Sequence, residues 1–144
     1  MAIELRTVCD DDCILLYDWA NNYEVRKNSL NQKEISWEEH KSWFNKKLSN
    51  PFSKLFILEK DNSAVGQIRY DKTDENTWEL DFSISQRFRG MGLGKTIVEL
   101  SMIQISGPIV AVVRKNNIAS RQVFERLGFQ IQKKDDDIIK YIYE

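Results

Sequence analysis

The chain has 144 residues, the length of one domain with a core of its own. Its 21 basic and 22 acidic residues leave a formal charge of −1, so no global positive field draws nucleic acid. No apolar run is long enough to span a bilayer and no basic-then-apolar leader opens the chain, so a cytoplasmic protein is expected.

Ala2 to Val8 alternates Ile3, Leu5 and Thr7 with charged positions and reads as a first strand. Asp10, Asp11 and Asp12 offer an N-cap and favourable dipole charge to a helix running through Trp19, with Leu15, Leu16 and Trp19 as its apolar face. Asn21 and Asn22 end it. Ser36-Trp37-Glu38-Glu39 is a capping box, which starts a second helix reaching about Leu48, and Pro51 closes that region. Cys9 and Cys13 are the only cysteines and His40 the only histidine, too few ligands for a metal, so two free thiols and no metal are expected.

Lys54 to Lys60 and Ala64 to Asp71 flank Asp61-Asn62-Ser63 and read as a hairpin. Trp78 to Ser85 is the third strand of that meander, with Leu80, Phe82 and Ile84 pointing one way and Glu79, Asp81 and Ser83 the other. A helix follows from Leu93 to Ile103. Ile109 to Val113 is an uninterrupted apolar run, as in a strand covered on both faces. Ala119 to Leu127 is a helix ended by Gly128, and Phe129 to Lys133 and Ile138 to Tyr143 form a last hairpin around Asp135-Asp136-Asp137.

Three of the six glycines, Gly90, Gly92 and Gly94, lie in five residues between the strand ending at Ser85 and the helix starting at Leu93. Bare backbone N–H groups at such a junction, together with the helix dipole, bind anions, which makes Arg89 to Thr96 a phosphate loop. The nucleoside triphosphate loop fails by one residue, because Arg89 stands where its first glycine is needed before Gly94-Lys95-Thr96. The dinucleotide fingerprint fails at Lys95, where its third glycine belongs. What remains is Arg-x-x-Gly-x-Gly. A second motif lies downstream, with Asn117 after a strand, Phe124 seven residues on, and Gly128-Phe129 opening the next strand.

These two motifs in this order resemble those of the GNAT acetyltransferases, whose coenzyme loop reads Gln/Arg-x-x-Gly-x-Gly/Ala. The resemblance implies an α/β (α+β) fold over residues 1–144, a single mixed, mostly antiparallel sheet flanked by about four helices. It implies acetyl-CoA as cosubstrate. The backbone of Arg89, Gly90, Met91, Gly92, Leu93, Gly94 and Lys95, with Thr96, would hold its pyrophosphate. The strand edge at Ile84 would pair with its amide-bearing arm, and Asn117, Ser120 and Phe124 would form the opposite lip. Glu79 occupies the place of the general base, with Asp81 as its neighbour; the simpler alternative for Glu79 is a solvated cross-strand charge. A backbone N–H near Ile84 would be the oxyanion donor. Phe124 stands where the family usually has a tyrosine as general acid, so the proton source is left among water, another tyrosine, the product amine, or none.

The stretches from Asp18 to Ser29 and from Ile35 to His40, with Trp43-Phe44 and Gly66 to Asp71, resemble the nucleotide-aminosugar acetyltransferases of pseudaminic acid and related nonulosonate biosynthesis. That implies a small-molecule amine acceptor contacted by Arg26, Asn28 and His40, and a monomer or homodimer. His40 alternatively sits at the surface or caps a helix, and Trp19, Trp43 and Phe44 belong to the core. The rival expectations are a protein N-terminus as acceptor and a non-catalytic acyl-CoA sensor.

Overall fold

The computed structural model describes residues 2–73 and 76–144. Its elements are β1 (Ile3–Thr7), α1 (Cys13–Ala20), α2 (Tyr23–Asn28), α3 (Trp37–Ser49), β2 (Ser53–Lys60), β3 (Ser63–Lys72), β4 (Trp78–Ile84), α4 (Leu93–Met102), β5 (Ile109–Arg114), α5 (Ile118–Arg126), β6 (Gln130–Lys134) and β7 (Ile138–Tyr143). Single 3-10 turns precede α1 and α4. The seven strands form one sheet in the order β1-β2-β3-β4-β5-β7-β6, antiparallel throughout except for the parallel pair β4–β5.

The difference from the sequence reading is α2, a fifth helix where about four were expected. Its six residues are too few for a hydrophobic period to show. Its signal is the cap instead: Asn22 is extended at ψ 139 and its side chain accepts from the N–H groups of Glu24 and Val25. The first hairpin is also tighter than expected. Asp61 and Asn62 alone turn the chain, both at positive φ (51 and 69), and Ser63 already pairs with Lys60.

Burial on β2 alternates between two cores. Phe56 and Leu58 join Ile68, Tyr70, Ile97, Val98 and Phe124 on the α4–α5 face. Leu55 and Ile57 join Val8, Leu16 and Phe44 on the α1–α3 face. Such a strand is buried on both sides, which is why Leu55 to Leu58 carries no polar residue.

The feature that makes a site is the parallel pair. β4 and β5 match only at Trp78↔Ile109 and Glu79↔Val110. Beyond that point β4 stays paired with β3 up to Gly66↔Ile84, and β5 stays paired with β7 up to Arg114↔Ile138. The sheet therefore splits into two arms. The helices that follow the diverging strands, α4 and α5, both begin at the open end of the split.

Candidate functional site

The split continues into a cleft of about 1050 Å³. Its walls include Glu79, Ile84, Arg89, Gly90, Gly92 and Leu93, with Gly94, Lys95, Asn117, Ser120 and Phe124 completing the side formed by α4 and α5. Arg26, Asn28 and His40 line its other half. Of the residues singled out from the sequence, Met91 and Thr96 are not in the walls; Met91 is exposed, and the Thr96 hydroxyl donates back to the Gly92 carbonyl (3.2 Å).

The glycine loop is built by two different constraints. Gly90 and Gly92 have φ of 81 and 76, and a Cβ at either would touch nothing, so the backbone angle alone calls for glycine. Gly92 is the N-cap of α4 and carries no side chain to cap it, so the N–H groups of Leu93, Gly94 and Lys95 have neither an intrahelical nor a side-chain acceptor. Gly94 has no such angle. A Cβ there would lie 3.2 Å from both Phe82 Cε2 and Val123 Cγ2, where α4, β4 and α5 meet.

Arg89 turns its side chain away from these amides. Its Nε donates to the Ile84 carbonyl (3.0 Å) and one terminal nitrogen to Asn22 Oδ1 (3.2 Å), while its own N–H closes the preceding 3-10 turn on Gln86. Arg89 thus buttresses the loop. On β4, the Trp78 N–H points to the Pro108 carbonyl on the β5 side. Strand alternation sends the N–H and C=O of Phe82 and the N–H of Ile84 the same way, into the gap where β5 has departed. That is a row of main-chain donors and acceptors facing an open cleft.

Across the gap, Asn117 caps α5, its Oδ1 accepting from the Ser120 N–H (3.3 Å). Phe124 is buried and meets Phe82 edge-on at 5.7 Å. Among the described residues no tyrosine lines the cleft. Tyr141, 5.6 Å from the Phe124 ring, is buried and donates to Glu125 (2.6 Å); burial, and then Glu125, push its phenol above the ordinary range.

α2 bridges the two arms. At its start Asn22 donates to Gln86 (3.0 Å) and accepts from Arg89, both on the β4 arm. Just past its end the Ser29 and Leu30 carbonyls accept from Arg114 on β5 (2.6 and 2.9 Å). Asn21 adds a two-way hydrogen bond with the Ile35 backbone. Arg26 spends its guanidinium inside this strap, on the Asn31 and Lys33 carbonyls and the Ser29 hydroxyl, with its Nε buried and unpartnered. Burial pulls Arg26 below its ordinary pKa while Asp81 opposes the shift. Asn28 donates to the Glu24 carbonyl within α2.

His40 is neither at the surface nor a cap. It is 3% exposed, among the rings of Tyr17, Trp37, Trp43 and Phe44. Its Nε2 lies 2.9 Å from the Cys13 carbonyl, an acceptor only, which places the proton on that nitrogen. Burial holds its pKa below the usual value, the Cys13 bond opposing, so the ring is neutral at pH 7. Trp19 and Trp43 pack on the α1–α3 core and also line the cleft. Glu79, at the last matched pair of β4 and β5, and Asp81 are exposed on the same side of the sheet. Both cysteines are free.

The sequence matches the acetyltransferase (GNAT) domain family over residues 2–130. It is 30% identical over 150 residues to the uncharacterized protein MJ1062 of Methanocaldococcus jannaschii, covering 99% of this chain and 31% of that relative. The chain thus spans about a third of that protein's length. A domain from the same organism, solved by crystallography, superposes with a TM-score of 0.84 at 27% identity, covering 99% and 97% of the two chains. At 16% identity the spermidine N-acetyltransferase of Vibrio cholerae, solved with CoA and spermine, has a TM-score of 0.86 over 98% and 94%. At 18% identity the Campylobacter jejuni N-acetyltransferase PseH, solved with acetyl coenzyme A, has 0.74 over 99% of each chain. These last two share the fold.

Proposed function

The chain belongs to the GNAT acetyltransferase family, and we propose that it moves the acetyl group of acetyl-CoA to a primary amine, carried by a nucleotide-linked amino-deoxy sugar. The observation that carries the reading is the split between β4 and β5, with unsatisfied main-chain amides at its edge and at the start of α4. The residues fit the coenzyme. Gly90, Gly92 and the first N–H groups of α4 would hold its diphosphate, and the exposed edge at Phe82 and Ile84 would pair with its amide-bearing arm. Bound there, acetyl-CoA supplies an activated thioester.

The chain's own groups do the rest. Glu79 accepts the proton that the amine must lose before its lone pair attacks. The Ile84 N–H donates to the oxygen that gains charge as the N–C bond forms; that charge returns to the carbonyl as the C–S bond breaks and the thiolate leaves. Phe124 keeps the packing against Phe82 and brings no proton, so the thiolate takes one from water or from the product. Arg26, Asn28 and His40 wall the acceptor half, and the tied strap favours a small acceptor over a polypeptide end.

A second reading has a specific observation behind it. Glu24, Glu39, Glu79 and Asp81 line the cleft, and among the described residues their nearest basic partner is Arg69, 4.0 Å from Asp81. That favours an acceptor of net positive charge, such as a polyamine. Free-thiol release from acetyl-CoA decides between them. We expect turnover with a nucleoside diphosphate 4-amino-4,6-dideoxy sugar; turnover with spermidine alone overturns the sugar assignment, and binding without thiol release means a sensor.

A further inference from the structure

We propose that Arg69 is the specificity-determining anchor for an anionic group, phosphate or carboxylate, on the acceptor. The inference rests on the acetyltransferase reading above and adds the chemical class of its substrate. Five basic side chains line the cleft: Arg26, Arg69, Arg89, Lys95 and Arg126. Lys95 and Arg126 stand with the glycine loop and α5. Arg26 has spent both terminal nitrogens on the Asn31 and Lys33 carbonyls and on Ser29, and Arg89, beside the glycine loop, has spent its Nε and one terminal nitrogen on the Ile84 carbonyl and Asn22. Arg69 has not. Its Nε donates to Asp71 (2.8 Å), and among the described residues its terminal nitrogens make no hydrogen bond, only the 4.0 Å approach to Asp81.

The guanidinium is held as a built part. Asp71 is itself fixed by Lys47 (2.7 Å) and Ser53 (2.6 Å). Burial works to raise the Asp71 pKa, but those two hydrogen bonds and the charge of Arg69 hold it below the usual carboxylate range, so it stays ionised. The Arg69 guanidinium carbon lies 5.2 Å from the ring centre of Trp43, another cleft residue. One edge of the fork is thus clamped, one face rests on an indole, and the remaining N–H groups are left for a planar two-oxygen ligand.

Register sets the distance to the chemistry. Arg69 pairs with Asp81 and Asp71 pairs with Glu79, so Arg69 is diagonal to the base, a separation of about 7–8 Å in such a pair with the Cβ atoms somewhat closer. An acceptor that answers both groups carries its amine and its anion at opposite ends of a body the size of one sugar ring or one short amino acid. The aromatic and carboxylate walls repel an anion elsewhere in this half.

The test compares acceptors that differ only in the anion. One pair is a 4-amino-4,6-dideoxy sugar 1-phosphate and the methyl glycoside of the same amino sugar. The other is an α-amino acid and its decarboxylated amine. For Arg69→Gln we expect KM for the anionic member of one pair to rise roughly 10- to 100-fold, the worth of a charge-assisted fork. The value of kcat, KM for acetyl-CoA and KM for the member without the anion should stay within about twofold, with Arg69→Lys in between. The pair that responds identifies phosphate or carboxylate as the source. Equal losses on both members, or none, overturn the proposal while leaving the acetyltransferase reading intact. Absence of thiol release in the wild type strikes that reading instead. Calorimetry of the CoA-saturated protein with uridine diphosphate and with glutamate then reads the anchor without turnover. Loss of one heat in Arg69→Gln supports it, and equal heats or no heat in both proteins overturn it.

Discussion

Gly92 and Gly94 stand two residues apart and are held to glycine by different forces, which separates their mutants. Gly92→Val puts a branched side chain at φ 76, with open space around it, and costs about 1–3 kcal/mol of local strain. We expect the fold to survive, with acetyl-CoA affinity down at least tenfold by calorimetry; unchanged affinity would remove the loop as the diphosphate site. Gly94→Ala instead presses on Phe82 and Val123, so thermal stability should fall. Glu79→Gln should lower kcat roughly 100-fold and leave KM for acetyl-CoA within about twofold, read from thiol release at saturating acceptor. Asp12 tests a structural pair. Arg6 grips it at 2.8 and 2.9 Å and, with burial opposing, holds its carboxyl below the usual range. A depressed folded pKa gives stability above the unfolded pKa near 3.9 that is lost as pH falls through the folded value. Asp12→Asn should therefore cost about 1–2 kcal/mol at pH 7, and the gap should narrow as pH falls through the folded pKa, read as Tm across an acid buffer series.

At the scale of elements, α2 is the strap across the cleft, joining the β4 arm to the β5 arm. Six residues do not make a stable helix alone. This one stands because Asn22 caps it and ties it to Arg89 and Gln86, while Arg114 holds the carbonyls beyond it. The same Arg89 donates to the last carbonyl of β4, so glycine loop, strand edge and strap share one side chain. Asn22→Ala removes the cap and both ties. We expect about 1 kcal/mol of destabilisation, a few degrees in Tm, and a larger rise in KM for the acceptor than for acetyl-CoA. A loss confined to Tm would leave α2 a structural cover. The sequence carried the cap, Asn22 followed by Glu24, but not the partners. Arg114 merely ends an apolar strand in the sequence, and its hold on Ser29 and Leu30 spans 85 and 84 positions.

For the molecule as a whole, the coenzyme should act as a brace between the two arms. A ligand present at 100 times its Kd adds about 2.7 kcal/mol to the folded state. Saturating acetyl-CoA should raise Tm and slow amide exchange at residues 90–95 and at Phe82 and Ile84, while magnesium ATP, whose loop spacing fails at Arg89, should do neither. Protection spread evenly over the sheet would argue against a site in the split.

Local chemistry was legible in the chain itself. Strands came from the period-2 alternation of Leu80, Phe82 and Ile84, helix starts from Ser36 and Glu39, and the tight turn into α4 from three glycines at a strand-to-helix junction, because each signal acts within a few residues. Tertiary structure alone decided the rest. Nothing near Glu79 in sequence says that β5 leaves β4 after Val110, that Arg89 faces away from the amides it precedes, or that Arg26 is consumed while Arg69 is spared. Those outcomes depend on which distant carbonyl or carboxylate reaches a side chain first, and only the packed fold brings such partners within hydrogen-bonding distance.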